Sequence, residues 1–448
     1  MDLYKLPKPS LDFDKDVFLK KFNEADDIVD CYLNATRNEY LYWDKIKYKK
    51  PPKNMTAEEF WFMIKIMRKQ DANRVESAIR DEQGNYFSWT VYPDLNRILH
   101  EVDMQLGGTI NSPYVEEKYI RERFVSRGIM EEAIASSQLE GANTTRKAAK
   151  LMILEKRKPR TRSEKMVLNN YRAMTYIEET LADRDLTIDI IYELHGILTK
   201  DTLDPKDISR IRDDKDDILV CDSINGTIYH IPPKRKFIQQ EIKRFITYAN
   251  DKETSTSFVH PVIKAILLHF WIGYLHPFVD GNGRLARTMF YWYLLKNGYW
   301  TFAYLPISKV IRKSPGQYRD AYVYSEQDDN DVTYFIDYNL RKIAQAKKEF
   351  EQFLKRKKGE SQKLDILKQS DYKLNHRQQQ LARYLYKNPN AITTIESHSQ
   401  IYDISRLTAR KDLERLEDLQ LLKSEKVGRE RHFSGTIKLL ELLKNIMG

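Results

Sequence analysis

Through the middle of this chain apolar residues return at helical spacing, and the pattern switches to strand only once; the fold is therefore expected to be mainly α. From Pro113 to Glu140 the stripe is Val115, Ile120, Phe124, Ile129, Ile134 and Leu139, with Gly141 where a helix C-terminal cap falls. One helix should end at Glu140. Further helices are expected over Ser163–Leu181 and Ile188–Thr199, before a polar run around Asp204–Asp217, then through Ile238–Tyr248 and from His260-Pro261 to about Leu275. The exception is ILVCDSI and TIYHI on either side of Asn225-Gly226. Asn-Gly between strand formers predicts a hairpin with a type I′ turn, whose central positions both need positive φ. Pro232 and Pro233 end it.

At 448 residues the chain exceeds what one core holds, so two or three domains are expected. With 41% apolar and 31% charged residues, 16 Gly and 15 Pro, it is not a disordered, collagenous or low-complexity chain. Cys31 and Cys221 are the only cysteines, too few for a disulfide framework or a four-thiolate metal site, which points to a reducing compartment. The start, MDLYKLPKPSLDFDKD, lacks an apolar h-region, and the greasy stretch Ala265–Leu275 is interrupted by His269 and too short for a span. A cytoplasmic protein without membrane contact is expected.

The net charge is +10, and all of it lies in the tail from Arg341 to Gly448, with 24 Lys+Arg against 14 Asp+Glu. The excess is densest between Arg341 and Asn375, a Lys-rich helical stretch containing KRKK at Lys355–Lys358. Charge thus permits nucleic-acid contact without requiring it. Residues 1–112 are aromatic-rich and mixed, with Pro51 and Pro52 as a break and NYFSWTVYPDL as a strand-to-turn passage.

The run YLHPFVDGNGRLARTMFYWYLL from Tyr274 carries the chemistry. Gly281, Asn282 and Gly283 permit backbone angles that turn successive N–H groups inward, and a helix begins at about Arg284; together these make an anion nest at a helix N-terminus. Arg284 and Arg287 project near one helix face, where two guanidiniums can hold different phosphates of one polyphosphate. Asp280 is a hard oxygen ligand suited to Mg²⁺. His276 can accept a proton from a hydroxyl at neutral pH. Taken singly, each has an ordinary reading: a structural histidine, a turn, a solvated face. Their conjunction within twelve residues, His276–Arg287, points to phosphate chemistry.

His276-Pro277-Phe278-Val279-Asp280-Gly281-Asn282-Gly283-Arg284-Leu285-Ala286-Arg287 resembles the signature HPFx(D/E)GNGRxxR of the Fic family, matching every defining position. The preceding HPVIKAILLHFWIGYL resembles the helix before that motif, and the hairpin resembles the family's target-binding flap. The resemblance covers roughly Pro113–Gln345. It implies a helical Fic bundle with a β-hairpin flap and a protein adenylyltransferase: His276 deprotonates a target hydroxyl, which attacks the α-phosphate of ATP and expels pyrophosphate. Asp280 would hold Mg²⁺, and Gly281, Asn282 and Gly283 would bind the nucleotide, the last two lining the anion hole. Arg284 would contact the inner phosphates and Arg287 the γ-phosphate, with Phe278 anchoring the loop. The flap strand Thr227–Ile231 would offer an unpaired edge to an extended target, contacted through Thr227, Ile228, Tyr229 and His230. Related phosphotransferase toxins usually lack the glycine and arginine at positions 283 and 287, so nucleotidyl transfer is favoured; transfer of another phosphate-containing group stays open. Adenine contacts are not assigned, since Tyr318 and Tyr322 read equally well as core aromatics.

Ser136-Ser137-Gln138-Leu139-Glu140-Gly141 is similar to the inhibitory signature (S/T)xxxE(G/N) of self-restrained Fic proteins. Glu140 would pair with Arg287 and deny that guanidinium to the γ-phosphate, with Ser136 opening the motif.

Toward the C-terminus, RQQQLARYLYKN, a short helix around Thr394–Tyr402, a helix Ser405–Leu419 and the ribbon LLKSEKVGRERHFSG resemble a winged helix-turn-helix with Gly428 in its wing. Ser405 is a good N-cap. Ala409, Leu413 and Leu416 would be buried, leaving Arg406, Arg410 and Lys411 outward to meet DNA or, as an equal alternative, a protein. The expected domains are a mixed N-terminal region 1–112, a Fic domain 113–345 with an inhibitory helix at about 129–141 and a flap at 218–231, a basic linker 346–375, and a winged helix 376–440. Expected partners are ATP and an unidentified target protein, this chain itself included; a homodimer stays open. The rival reading is a transcription regulator with a nucleotide-sensing Fic-like body.

Overall fold

The computed structural model describes residues 3–71, 73–107, 118–222, 225–252, 258–369, 372–402, 404–427 and 430–447, and of 118–126, 357–369 and 445–447 the backbone alone. The chain is mainly helical, with small sheets, and divides into two compact units, Met1–Lys347 and Lys348–Gly448.

At the centre of the first unit lie two helices that are buried on every side and largely apolar, Arg284 and Arg287 being the buried charged exceptions on the second. Pro261–Leu275 and Asn282–Lys296 bury Phe270, Trp271, Leu285, Tyr291 and Trp292 almost completely. A helix with apolar residues on every face can only be satisfied in the middle of a protein. Around this pair pack Lys118–Leu139, Arg162–Tyr176, Ile188–Thr199 and Arg235–Ala249. The first of these ends one residue before the expected Glu140, and Gly141 takes φ 84° just beyond it. Its expected start at Pro113, with Val115, falls outside the described residues. Glu132 ties this helix to the core by accepting from Tyr291 Oη and Ser308 N, both at 2.9 Å. Arg162–Tyr176 is capped by Thr161, whose Oγ1 accepts from Glu164 N, and a π-helical turn Ile177–Leu181 completes the expected span.

The N-terminal residues join this body rather than standing off from it. Strands β1 (Val75–Arg80) and β2 (Tyr86–Trp89) pair antiparallel, and Arg80 reaches Glu241 at 2.8 Å. Arg68 is buried over the Tyr40 ring and donates to Tyr334 Oη (3.0 Å) and Leu41 O (3.0 Å). Both terminal nitrogens thereby find an acceptor, which helps make its burial tolerable.

The flap forms where the Asn-Gly signal puts it, as β3 (Val220–Cys221) against β4 (Ile228–His230). Its turn is not the two-residue type expected. Asp222 N donates to Thr227 O and Gly226 N to Asp222 O, both at 2.9 Å, so the connection is wider. Side chains explain it: Asp222 Oδ1 accepts from Asn225 N (3.3 Å) and Asn225 Oδ1 from Thr227 N (3.0 Å), local bonds that substitute for a tight turn.

The second unit holds helices His376–Lys387, Ile395–Tyr402, Arg406–Asp418 and Ile437–Met447 on a sheet ordered β5 (Ile392–Thr394), β7 (Glu430–Gly435), β6 (Leu422–Val427). Its core is Leu381, Leu385, Leu413, Leu416, Phe433 and Leu439. Ser405 Oγ accepts from Thr408 N at 3.1 Å, the cap read from sequence. Strand β5 and the last helix were not foreseen, and Gly428 lies outside the described residues. No described helix is long and apolar enough to cross a membrane.

Candidate active site

The site is built in the loop between the two central helices. Helix Pro261–Leu275 stops because His276 turns into the left-handed region (φ 45°, ψ 57°), an uncommon conformation for a residue with a Cβ. Arg212 holds the corner, its Nε donating to His276 O (2.8 Å) and its N–H to Pro277 O (2.9 Å). Asn282 then closes the loop. Its Oδ1 accepts from Phe278 N (2.9 Å) and its Nδ2 donates to Phe278 O (2.7 Å), so this side chain serves the loop and leaves the backbone N–H as what Asn282 can offer a nest. Phe278 is fully buried against the His195 ring, with centroids 3.8 Å apart.

His195 braces the other side. Its Nδ1 accepts from Ser209 N (2.9 Å), so the proton sits on Nε2 and is donated to Asp280 O (2.9 Å). Burial pushes its pKa down to about 4, which keeps the ring neutral. Gly281 caps the second helix at φ 88°, and a Cβ there would lie 2.9 Å from Thr199 Cγ2, so the position needs glycine. The N–H groups of Asn282, Gly283 and Arg284 open that helix and have no intrahelical acceptor.

Of these residues Gly283 borders a cleft of about 420 Å³, lined also by Glu140, Tyr229, His276, Arg287 and Tyr318, among others. The half-buried His276 ring directs Nδ1 at Gly273 O (3.3 Å), leaving Nε2 as the acceptor. Desolvation by the cleft walls, and then the charge on His230, push its pKa down to about 4. Arg284 is wholly buried with Nη1 donating to Leu198 O (2.8 Å), while its Nε and Nη2 have no hydrogen-bond partner among the described residues. Two guanidinium donors without a hydrogen bond, Nη2 lying 3.5 Å from Asp280 Oδ1, stand beside a helix N-terminus and are chemically matched to phosphate oxygens. Burial lowers the pKa of this guanidinium, with Asp280 opposing.

Arg287 is fully engaged. Nε donates to Ser136 Oγ (2.9 Å), and Nη2 donates to Ser136 O (3.1 Å) and to Glu140 Oε1 (2.9 Å). Burial alone would lower its pKa; Glu140 outweighs that and raises it. The Glu140 carboxylate lies directly over Gly283, where an added Cβ would sit 2.3 Å from Oε1. A carboxylate therefore occupies the mouth of the nest. Asp280 offers one carboxylate, its Oδ1 accepting from Gly281 N (2.6 Å) and its Oδ2 lying 3.3 Å from Arg162. That donor set fits Mg²⁺ completed by phosphate oxygens, since this ion commonly takes only one or two carboxylates.

On the flap the expectations are partly corrected. Tyr229 faces the cleft under the Arg319 guanidinium, which also donates to its Oη (3.1 Å). His230 does not face a target: it is buried, with Nδ1 on Glu326 Oε2 (2.6 Å) and Nε2 on Tyr274 O (2.7 Å). Two acceptors require two protons. Burial opposes that charge, but Glu326 prevails and raises the pKa. Thr227 is spent in the turn, and Ile228 is buried with its carbonyl accepting from Tyr4 N (2.7 Å), so the edge is not open there. His195, Arg212 and Tyr4 were missed because they lie far from the motif in sequence and carry no local signal.

In the second unit Ala409, Leu413 and Leu416 are fully buried, and Arg406, Arg410 and Lys411 are exposed. Arg406 pairs with Glu396, and Arg410 Nε donates to Glu414 Oε1 at 2.7 Å.

Residues 185–294 match the model of the Fic/DOC family. The chain is similar to a protein adenylyltransferase Fic of Drosophila sechellia, 34% identical over 131 residues that cover 28% of this chain and 24% of the relative. It is similar to one of Nematostella vectensis, 30% identical over 135 residues, 30% of this chain and 29% of the relative. The chain thus spans under a third of the length of these curated relatives. Among solved structures, a Fic family protein from Desulfovibrio desulfuricans G20 aligns with a TM-score of 0.49 at 19% identity, over 78% of this chain and 97% of that one.

Proposed function

We propose that this chain, whose residues 185–294 match the Fic/DOC family, transfers AMP from ATP to a hydroxyl side chain of a protein and restrains itself through Glu140. His276 Nε2 takes the proton of the target hydroxyl. The freed oxygen attacks the α-phosphorus, the bond from that phosphorus to the bridging oxygen breaks, and pyrophosphate leaves with the electron pair. Arg284 supplies its two unpaired donors to the inner phosphates, and the N–H groups of Gly283 and Arg284 complete the nest. Mg²⁺ held by Asp280 would neutralise phosphate charge.

The observation that carries this reading is the pair of buried, unpartnered donors on Arg284 beside a nest that already holds a carboxylate. No hydrogen bond among the described residues satisfies those donors, Nη2 having only the Asp280 carboxylate at 3.5 Å, and a triphosphate would. Arg287 joins only when Glu140 leaves, which makes the resting site a poor binder of productive ATP. A cytoplasmic location accords with two free cysteines, one of them exposed. Contact of the second unit with DNA has less support, because Arg406 and Arg410 already pair with glutamates.

The test is incubation of the Glu140→Gly variant with Mg²⁺ and ATP labelled at either the α or the γ position. α-Label on protein, abolished by His276→Ala, is the expected result. γ-Label would establish phosphoryl transfer instead, and no label with sequence-dependent DNA binding would favour the regulator.

A further inference from the structure

Under the reading above, the outer edge of β4 is where an extended target segment adds. That edge has an occupant from this chain. Leu3 pairs in parallel with Ile228, Tyr4 N donates to Ile228 O (2.7 Å), and the Tyr4 ring lies 5.4 Å from that of Tyr229. The same segment is fastened from its far side. Gln327 Nε2 donates to Tyr4 O (2.8 Å) and Gln327 Oε1 accepts from Leu6 N (2.9 Å), so one amide grips two main-chain groups. Leu6 is buried, and Pro7 O accepts from Tyr42 Oη at 3.1 Å. Side-chain amide, ring contact, strand bond and buried anchor all hold five consecutive residues to the flap and to helix Pro315–Gln327.

We propose that Leu3–Leu6 is the resident strand of the flap edge and that a protein target binds as an extended segment only by displacing it. The proposal rests on the flap's role in target binding. Main-chain bonds exchange one for one in such a displacement and contribute little net free energy. A tethered segment also competes at high effective concentration. The target must therefore win through side chains, against the face made by Tyr229 and Arg319. The edge consequently selects among hydroxyl-bearing polypeptides, independently of Glu140 and the phosphate nest.

The experiment needs no catalysis. Tyr4→Pro deletes the N–H given to Ile228 while keeping Leu3 extended, and Tyr4→Phe retains both N–H and ring. Gln327→Ala loosens the segment from its other side, so that one misfolded variant does not decide the matter. Hydrogen exchange of the segment's own amides, Leu6 N in Tyr4→Pro and Tyr4 N in Gln327→Ala, is read alongside anisotropy of a fluorescein-labelled peptide copying residues 3–9. Exchange should quicken, and the peptide should bind more tightly, each by about fivefold in Tyr4→Pro and Gln327→Ala, with Tyr4→Phe like the parent. Unchanged exchange overturns the occupancy, and quickened exchange without tighter peptide binding overturns the docking role. Absence of α-label transfer by Glu140→Gly with the segment intact would remove the adenylyl reading while leaving both of these measurements valid.

Discussion

At the residue scale the chemistry turns on where protons and lone pairs sit. His276 offers Nε2 because Nδ1 is turned to Gly273 O, and its pKa is pushed down to about 4, so the basic form is populated throughout the neutral range. Only below that value does the ring protonate and the base disappear. Label transfer by Glu140→Gly should therefore stay flat from about pH 5.5 to 8. A half-loss near pH 6.5 would mean an imidazole of ordinary basicity. This scale was the most legible in the sequence, because nest, metal ligand, base and clamps are contiguous from His276 to Arg287. What could not be read was support from elsewhere in the chain: Arg212 at the His276 corner, His195 under Phe278, and the inward use of the Asn282 amide.

Among elements, the proposed restraint acts where the end of Lys118–Leu139 meets the start of Asn282–Lys296. Gly283 is the contact point, since a Cβ there would overlap Glu140 Oε1 at 2.3 Å. In Gly283→Ala the carboxylate must move, yet the methyl group fills the space that a phosphate needs. Isothermal calorimetry should find MgATP bound by Glu140→Gly but at least about tenfold more weakly by Glu140→Gly/Gly283→Ala. Equal affinity would place the phosphates away from Gly283. Helix ends were predictable here because Gly141 is a local cap signal, and the hairpin because Asn225-Gly226 is one. The width of its turn was not, because Asp222 and Asn225 compete with the backbone by side-chain bonds that no pairwise propensity records. The buried station of His230 was equally illegible, being set by Glu326 far along the chain.

For the whole molecule, the two compact units divide the physics. The first contains every group of the candidate site, whereas the second has its own leucine core, and its described arginines at positions 406 and 410 are paired on its surface. Leu413 is fully buried in that core, and Leu413→Ala should cost about 2–5 kcal/mol in denaturant unfolding of the second unit while leaving α-label transfer by Glu140→Gly unchanged. A parallel fall in transfer would mean that the units are energetically coupled. Charge summed over the tail permits a nucleic-acid partner without requiring one, and the sum does not say which surface carries the excess; Arg406 and Arg410 each have a carboxylate beside them.

The central claim is that Glu140 stands where the outermost phosphate must go, and the rate of α-label incorporation with Glu140→Gly beside the parent chain tests it most directly. Freeing a buried guanidinium from a charged hydrogen bond should raise incorporation by at least about tenfold. Equal incorporation in the two proteins, with His276 intact, would contradict it.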